Sequence, residues 1–360
     1  MKRNYGIDFL RLVSMVMVTV LHVLGQGGLL YATEPGSLKY WVVWSIEIAC
    51  YCAVNCFALI SGYGMSQSQY RISRMCKIWL QAVFYSLLGL VSFLCFMPET
   101  VGKRDILFTV LPITSGQYWY ISAYFGVLAL TPLLNAAIAH TEKRAFGVAL
   151  VTAFGALCVI PVVLQEDPFK LVNGYSLMWL CLLYLAGGYM RKYDVLRKIK
   201  SSYAWVTVLS MIAVTVLSKF VMEQYFEGIH FIYSRRHAFI SYISPTLVLT
   251  AIGLFVVCSK LHFTERFARV IRFLSPAALG VYLSHSSPLI WRHLMRGFSE
   301  SYAGYSFFHM IALIFSAVLL IFTTGIVLDL LRIRLFALLK IDKLCTRLDE
   351  MLMKKGSKVS

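Results

Sequence analysis

Residues 7–30 read IDFLRLVSMVMVTVLHVLGQGGLL, a stretch apolar enough to sit in hydrocarbon yet carrying Asp8, Arg11 and His22. At 1.5 Å rise per residue, about 20 apolar residues cross a bilayer core. A membrane barrel strand alternates apolar and polar side chains, and this run does not. Nine more such runs follow, at about 41–65, 78–97, 118–139, 145–164, 172–190, 203–222, 240–259, 273–291 and 307–331. The chain of 360 residues is 59% hydrophobic and 14% charged, with mean hydropathy +0.71, too apolar for a soluble domain with a polar surface. The reading is an all-α polytopic membrane helix bundle of about ten transmembrane helices.

Ten crossings put both ends of the chain on one side, and the basic residues agree. Twenty-four fall at the N-terminus, in alternate loops and in the tail from Arg332 to Lys358, against eight in the remaining loops. The positive-inside rule therefore predicts N-in and C-in, and it accounts for the net charge of +17 without nucleic acid. The first run carries three ionisable groups and no small-residue cleavage site, so it is expected to stay as a span rather than be removed as a signal. Residues 1–331 read as one membrane domain. Residues 332–360 read as a basic cytosolic tail whose spaced leucines suit an amphipathic helix on anionic lipid. The nine cysteines lie mostly within spans, with no CxxC pair and no neighbouring His or carboxylate set, so no metal site is expected.

An ionisable group inside a span costs a few kcal/mol on insertion, on the order of 2.5–3.5 at the bilayer centre, so each needs a reason. Asp8 and Arg11 are three apart and can pair. Arg11 and His22 are eleven apart, which at 100° per residue returns to nearly the same helix face, roughly 16 Å along the axis. One stripe thus offers a cation for an anionic donor near the basic side and an imidazole, as general base or acyl acceptor, deeper in. The structural alternative has Arg11 snorkelling to the interface and His22 bonding a neighbouring helix. Glu47 lies at a depth in the second run similar to that of His22 in the first. A carboxylate there could orient the imidazole, or it could snorkel to the interface instead.

The opening RNYGIDFLRLVSMVMVTVLH, with Arg11, ten residues and then His22, resembles the first helix of the acyltransferase-3 membrane proteins. Three further segments follow in the family's order: AVNCFALISGYGM at 53–65, GQYWYISAYFGVLALTPLLN at 116–135 and SPAALGVYLSHSSPLIWRHL at 275–294. Lys77 stands where the family commonly has Arg, and Leu80 near where it often has Pro. Each segment also has a structural reading. Trp119 and Tyr120 could anchor at a membrane interface, Ser61 and Gly62 could allow close helix packing, and His285 could bond another helix.

The resemblance implies a membrane O-acetyltransferase, with acetyl-CoA as co-substrate and no tightly bound cofactor. The acceptor it implies is a hydroxyl of a lipid-linked or cell-surface saccharide, in a bacterial cytoplasmic or inner membrane. In such an enzyme His22 would be catalytic, with Glu47 as its catalytic partner on the ground of matched depth alone, since no motif of the family covers it. Arg11, Arg71, Arg74 and Lys77 would hold the donor, whose phosphates suit cations. Asp8, Ser61, Tyr63, Trp119, Tyr120, Tyr282 and His285 would line the substrate pocket. A transporter of lipid-linked glycans or small molecules is the competing reading, though the sequence has no repeated halves of the kind transporters often carry.

Overall fold

In the computed structural model the described residues are 3–356 apart from 115 and 117; Lys2, Gln117 and Lys358 lie outside them. Among them all regular structure is helical, and seven helices are long and apolar enough to cross a membrane. Each of the ten predicted runs contains helix. The three runs outside those seven hold Leu177–Lys192, Pro245–Ser259, and the segment from Ser275 to Met295, which is interrupted at Ser286 and Ser287. The perimeter carries large exposed apolar side chains, including Leu133, Val151, Val206, Leu209, Phe315 and Leu320. That surface is suited to lipid and would be costly in water.

Helix α1 (Tyr5–Leu21) begins where Asn4 accepts hydrogen bonds from the backbone of Gly6, at 2.9 Å, and Ile7. It continues as a π-helical turn, His22–Gln26, closed by the Gly27 N–H on the His22 carbonyl at 2.9 Å. The next elements are α2 (Leu38–Cys50), α3 (Ala53–Met65), α4 (Ile72–Phe96), α5 (Trp119–His140), α6 (Lys143–Phe154) and α7 (Leu177–Lys192). After them come α8 (Ser201–Tyr225), α9 (Pro245–Ser259), α10 (Glu265–Leu274), α11 (Ala278–His285), α12 (Phe307–Leu338) and α13 (Ile341–Gly356). Helix α1 is central, packed against α2, α3, α9, α10, α11 and α12.

Glycine allows a close approach between α3 and α7. A Cβ at Gly62 would stand 1.9 Å from the Tyr184 carbonyl oxygen, and one at Gly187 would stand 2.2 Å from that of Leu59. Without a hydrophobic drive between helices in lipid, such backbone proximity is what lets packing and weak Cα–H···O contacts hold them together.

Buried charges are grouped. Asp329, fully buried on α12, accepts from Gln81 Nε2 and Tyr85 Oη, both at 2.9 Å, and from Arg332 Nε and a terminal guanidinium nitrogen at 3.0 and 2.7 Å. Lys219, the lysine inside the α8 run, pairs with Glu223, stands 3.9 Å over the Trp44 ring and donates to His237 Nε2 at 3.1 Å. Burial, then Lys219 and Arg236, push the His237 imidazole down to about 4, so it is neutral and can accept that bond.

The predicted tail boundary at 331 falls inside the unbroken α12. The remainder forms α13, which packs along the start of α4. Asp342 pairs with Lys77 at 2.5 Å, and Asp349 accepts from the Ser73 N–H and hydroxyl at 2.9 and 2.6 Å. The slight burial of Asp349 raises its carboxyl pKa; the Ser73 bonds and Arg71 outweigh this and hold it below the usual range.

The close approach gives a first prediction. Gly187→Val drives side-chain atoms into the Leu59 carbonyl and should destabilise the protein by roughly 1–3 kcal/mol, the usual cost of overpacking. Gly64→Ala, where a Cβ meets nothing within 4 Å, should be neutral. Thermal unfolding in detergent, with a midpoint lowered by several degrees in the first variant alone, checks this.

Candidate active site

Along α1, Arg11, Met15, Val18 and His22 fall on one stripe, and all four line a single cavity of about 700 Å³. The cavity reaches from Arg11 and Ser275 at one end to Gln26 and Arg292 at the other. Its volume lies in the range of small-molecule sites, and its walls are mainly apolar and aromatic with a few polar groups, as such sites are. The predicted stripe is thus real: cation and imidazole look into one space.

At the Arg11 end, Asp8 accepts from Arg11 at 3.2 Å and from Arg3 at 2.5 Å. Two guanidiniums share one carboxylate, so this end keeps a net positive charge. Asp8 supports Arg11 from outside the cavity lining. Of the other cations predicted for the donor, Arg74 donates to the Ser68 hydroxyl at 2.9 Å, Lys77 is paired with Asp342, and neither they nor Arg71 line the cavity. Their neighbour Ile78 does.

His22 sits where the regular helix gives way to the π turn. Its Nδ1 is 2.7 Å from His285 Nε2, and His285 Nδ1 is 2.5 Å from the Val281 carbonyl oxygen. A carbonyl only accepts, so His285 Nδ1 carries a proton. With both rings neutral, His285 Nε2 is then an acceptor, and His22 Nδ1 must donate to it. The chain of bonds leaves His22 Nε2 unprotonated, with a lone pair available at the cavity.

The surroundings hold that ring in place. Trp291 meets it edge-on with centroids 4.7 Å apart, and Tyr282 lies at 6.2 Å. Trp291 opens a second π-helical stretch, Trp291–Met295, and its carbonyl accepts from Gln26 Nε2 at 3.1 Å. The loop beyond it straps the His22 turn through Ser299 Oγ to the Val23 carbonyl at 2.7 Å and the Ser299 N–H to that of Gly27 at 3.0 Å. Gly27 has to be glycine here, because a Cβ would stand 2.3 Å from Ser299 Oγ. Wide π turns of this kind often mark functional sites.

Glu47 lines the same cavity but does not orient His22 by the expected bond. His285 occupies the Nδ1 side of the ring, and Glu47 Oε2 is buried with no hydrogen-bond partner. Depth in neighbouring helices brought the carboxylate to the cavity, and the imidazole had already been paired from α11. Of the predicted pocket residues, Ser61, Trp119, Tyr120 and Tyr282 line the cavity. Tyr63 does not; it packs on Phe255, with Arg191 over its ring at 5.2 Å. Sequence reasoning missed Tyr51, Tyr175, Tyr242 and Trp291. Tyr51 is one helical turn past Glu47 and could have been found from that spacing. Tyr175 and Tyr242 fall at the starts of the predicted runs 172–190 and 240–259, but in the structure they precede α7 and α9, where helical spacing assigns no face.

The fold is thus that of a multi-pass membrane protein with an interior cavity lined by His22, whose ring is paired with His285. The chain belongs to the acyltransferase-3 family, whose description is an acyltransferase domain and which matches residues 4–330. Comparison with curated proteins and with solved structures returned no match.

The pair yields a second prediction. His285→Ala removes the acceptor that fixes the His22 tautomer and should lower the maximal rate of acyl transfer by roughly 10–100-fold, part of the 10²–10⁴ a positioned base supplies. His285→Gln keeps an acceptor and should lose less. Rates measured with saturating donor, wild-type in His285→Ala, would remove His285 from any role in positioning.

Proposed function

We propose that this protein moves an acetyl group from cytosolic acetyl-CoA to a hydroxyl of a lipid-linked or cell-surface saccharide, within a bacterial cytoplasmic or inner membrane. The observation that carries the reading is the shared cavity: a cationic end at Arg11 and an unprotonated imidazole nitrogen on His22, both on one face of α1. The sorting of basic residues supports a cytosolic position for the Arg11 end. The nucleotide of the donor, rich in phosphate, stays at that mouth, where Arg11 meets it. Its narrow thiol arm extends along the stripe and brings the thioester to His22, about 16 Å deeper.

Transfer then needs one proton moved. The acceptor oxygen attacks the thioester carbonyl carbon as His22 Nε2 takes the hydroxyl proton. The carbon–sulfur bond breaks, and the proton passes from His22 to the leaving thiolate. While His22 is positively charged, His285 Nε2 accepts from its Nδ1–H and spreads the charge, a stabilisation worth most where water is excluded. The same lone pair could instead attack the thioester itself and carry the acyl group as an acyl-imidazole before the acceptor collects it. Rapid quenching with labelled donor alone separates the routes, since only the second leaves label on His22.

The third prediction concerns His22 and Arg11. His22→Ala should abolish consumption of acetyl-CoA by purified protein while the variant still accumulates in the membrane. Arg11→Lys keeps the charge but loses the planar fork, and should raise the donor KM several-fold at a little-changed maximal rate. Wild-type turnover in His22→Ala overturns the mechanism. Surface polysaccharide from cells expressing the active protein should gain the mass of an acetyl group per modified unit.

A further inference from the structure

Helix α13 meets α4 through a cysteine. Leu344 is 57% exposed, whereas Cys345 beside it is fully buried. The two helices run antiparallel: Asp349 meets Ser73, Cys345 meets Cys76 and Asp342 meets Lys77, the numbers falling along α13 as they rise along α4. Residues 342, 345 and 349 recur at helical spacing, so these contacts share one face of α13. The cysteine pair stands in the middle of that face, with an ion pair on one side and the Ser73 bonds on the other holding its register.

The two sulfurs are 3.4 Å apart, with Cys345 placed to donate its S–H to Cys76 Sγ, and both thiols are free. A disulfide needs a separation of about 2.05 Å, roughly 1.4 Å less, which small rotations of two side chains supply. Cys76 is partly exposed and Cys345 is not, so a small oxidant arriving from water meets Cys76 first. Cys52 and Cys56, also neighbours, are both fully buried and out of such an oxidant's reach. The Cys76 and Cys345 pair lies on the side that carries most of the basic residues, read as the cytosol. Thiols there stay reduced, and a disulfide that does form is transient and redox-sensing.

We propose that Cys76 and Cys345 form a reversible oxidation site, which a peroxide closes into a disulfide that fastens α13 to α4. Cys76 Sγ attacks one oxygen of hydrogen peroxide, the O–O bond breaks, and Cys76 becomes a sulfenic acid as a water leaves. Cys345 Sγ then attacks the sulfenic sulfur. The S–OH bond breaks, and the Cys345 proton departs with the hydroxide as a second water. Two thiols are oxidised and one peroxide is reduced, and a dithiol reverses the step by exchange. Without the link, α13 is held by the Ser73 bonds and by an ion pair whose Lys77 and Asp342 side chains are 41% and 77% exposed, ties weak enough for local release. With it, the docked state lasts until reduction. The fastening point is two residues from Ile78, which lines the cavity. The inference stands without the acyl-transfer reading.

Peptide mapping tests this on the full-length protein in lipid nanodiscs, treated with hydrogen peroxide, blocked with N-ethylmaleimide and digested without reduction. A peptide joining Cys76 to Cys345 should appear, lighter than the reduced pair by two hydrogens, and should be lost on adding dithiothreitol. It should form at least about tenfold faster in the folded protein than in protein unfolded in SDS and urea, because docking supplies the proximity. In Cys345→Ser, dimedone should trap a sulfenic acid on Cys76; in Cys76→Ser, Cys345 should stay unmodified. Amide hydrogen exchange along α13 should slow by roughly tenfold or more on oxidation and recover on reduction. A folded protein that yields no link, a link formed only between separate copies, an equal rate in the unfolded chain, or α13 exchange unchanged by the link overturns the proposal.

Discussion

The hydrogen bond between His22 and His285 joins residues 263 positions apart, and the interior of the protein is arranged around it. In a bilayer neither ring can fall back on water, so each nitrogen must find a partner in the protein or a ligand. Three of the four do so through two bonds and the cavity takes the fourth. The Val281 carbonyl at one end of this chain of bonds fixes the proton at the other, which makes a backbone atom of α11 responsible for the state of a nitrogen on α1. The π turns, the Ser299 strap and the Trp291 edge contact surround the His22 ring, whose Nδ1 lies 2.7 Å from His285 Nε2.

The same economy explains the other buried charges. Asp329 has four donors, and Lys219 has a carboxylate, a neutral imidazole and an indole face. Both groups tie helices distant in sequence, α12 to α4 and α8 to α2, and neither lines the cavity. Their saturation marks them as structural ties. Glu47 differs because its Oε2 is buried with no hydrogen-bond partner while the residue itself lines the cavity.

How far the sequence could be read follows from which contacts are local. The hydrophobic runs, the Arg11 and His22 stripe and the place of Glu47 near the cavity all depend on spacing along one helix or depth in a span, and these are visible in a string of residues. The partner of His22 is not, because nothing in the order of residues says which of two inward polar groups, Glu47 or His285, a neighbouring helix will bring to Nδ1. Tyr175 and Tyr242 escaped because they lie just before the helices their predicted runs contain, and Tyr242 is held there by a tertiary bond from buried Asn55. The tail's spaced leucines suggest an amphipathic helix on the membrane surface, whereas the fit of Asp342 and Asp349 to Lys77 and Ser73 is a tertiary match that no spacing shows.

The π turn at His22–Gln26 has a bearing on residue counting itself. A regular α-helix advances 100° per residue, and a turn closed by an i to i+5 bond accommodates one residue more. Everything beyond His22 is therefore out of phase with everything before it by about one residue. The interval from Arg11 to His22 lies on the regular side of that slip, so the eleven-residue separation keeps its geometric meaning. A wheel drawn onward from Arg11 to Gly25 or Gln26 would assign those residues to the wrong azimuth, and aligned gaps just past the histidine would be bookkeeping for the wide turn, with no loss of helix.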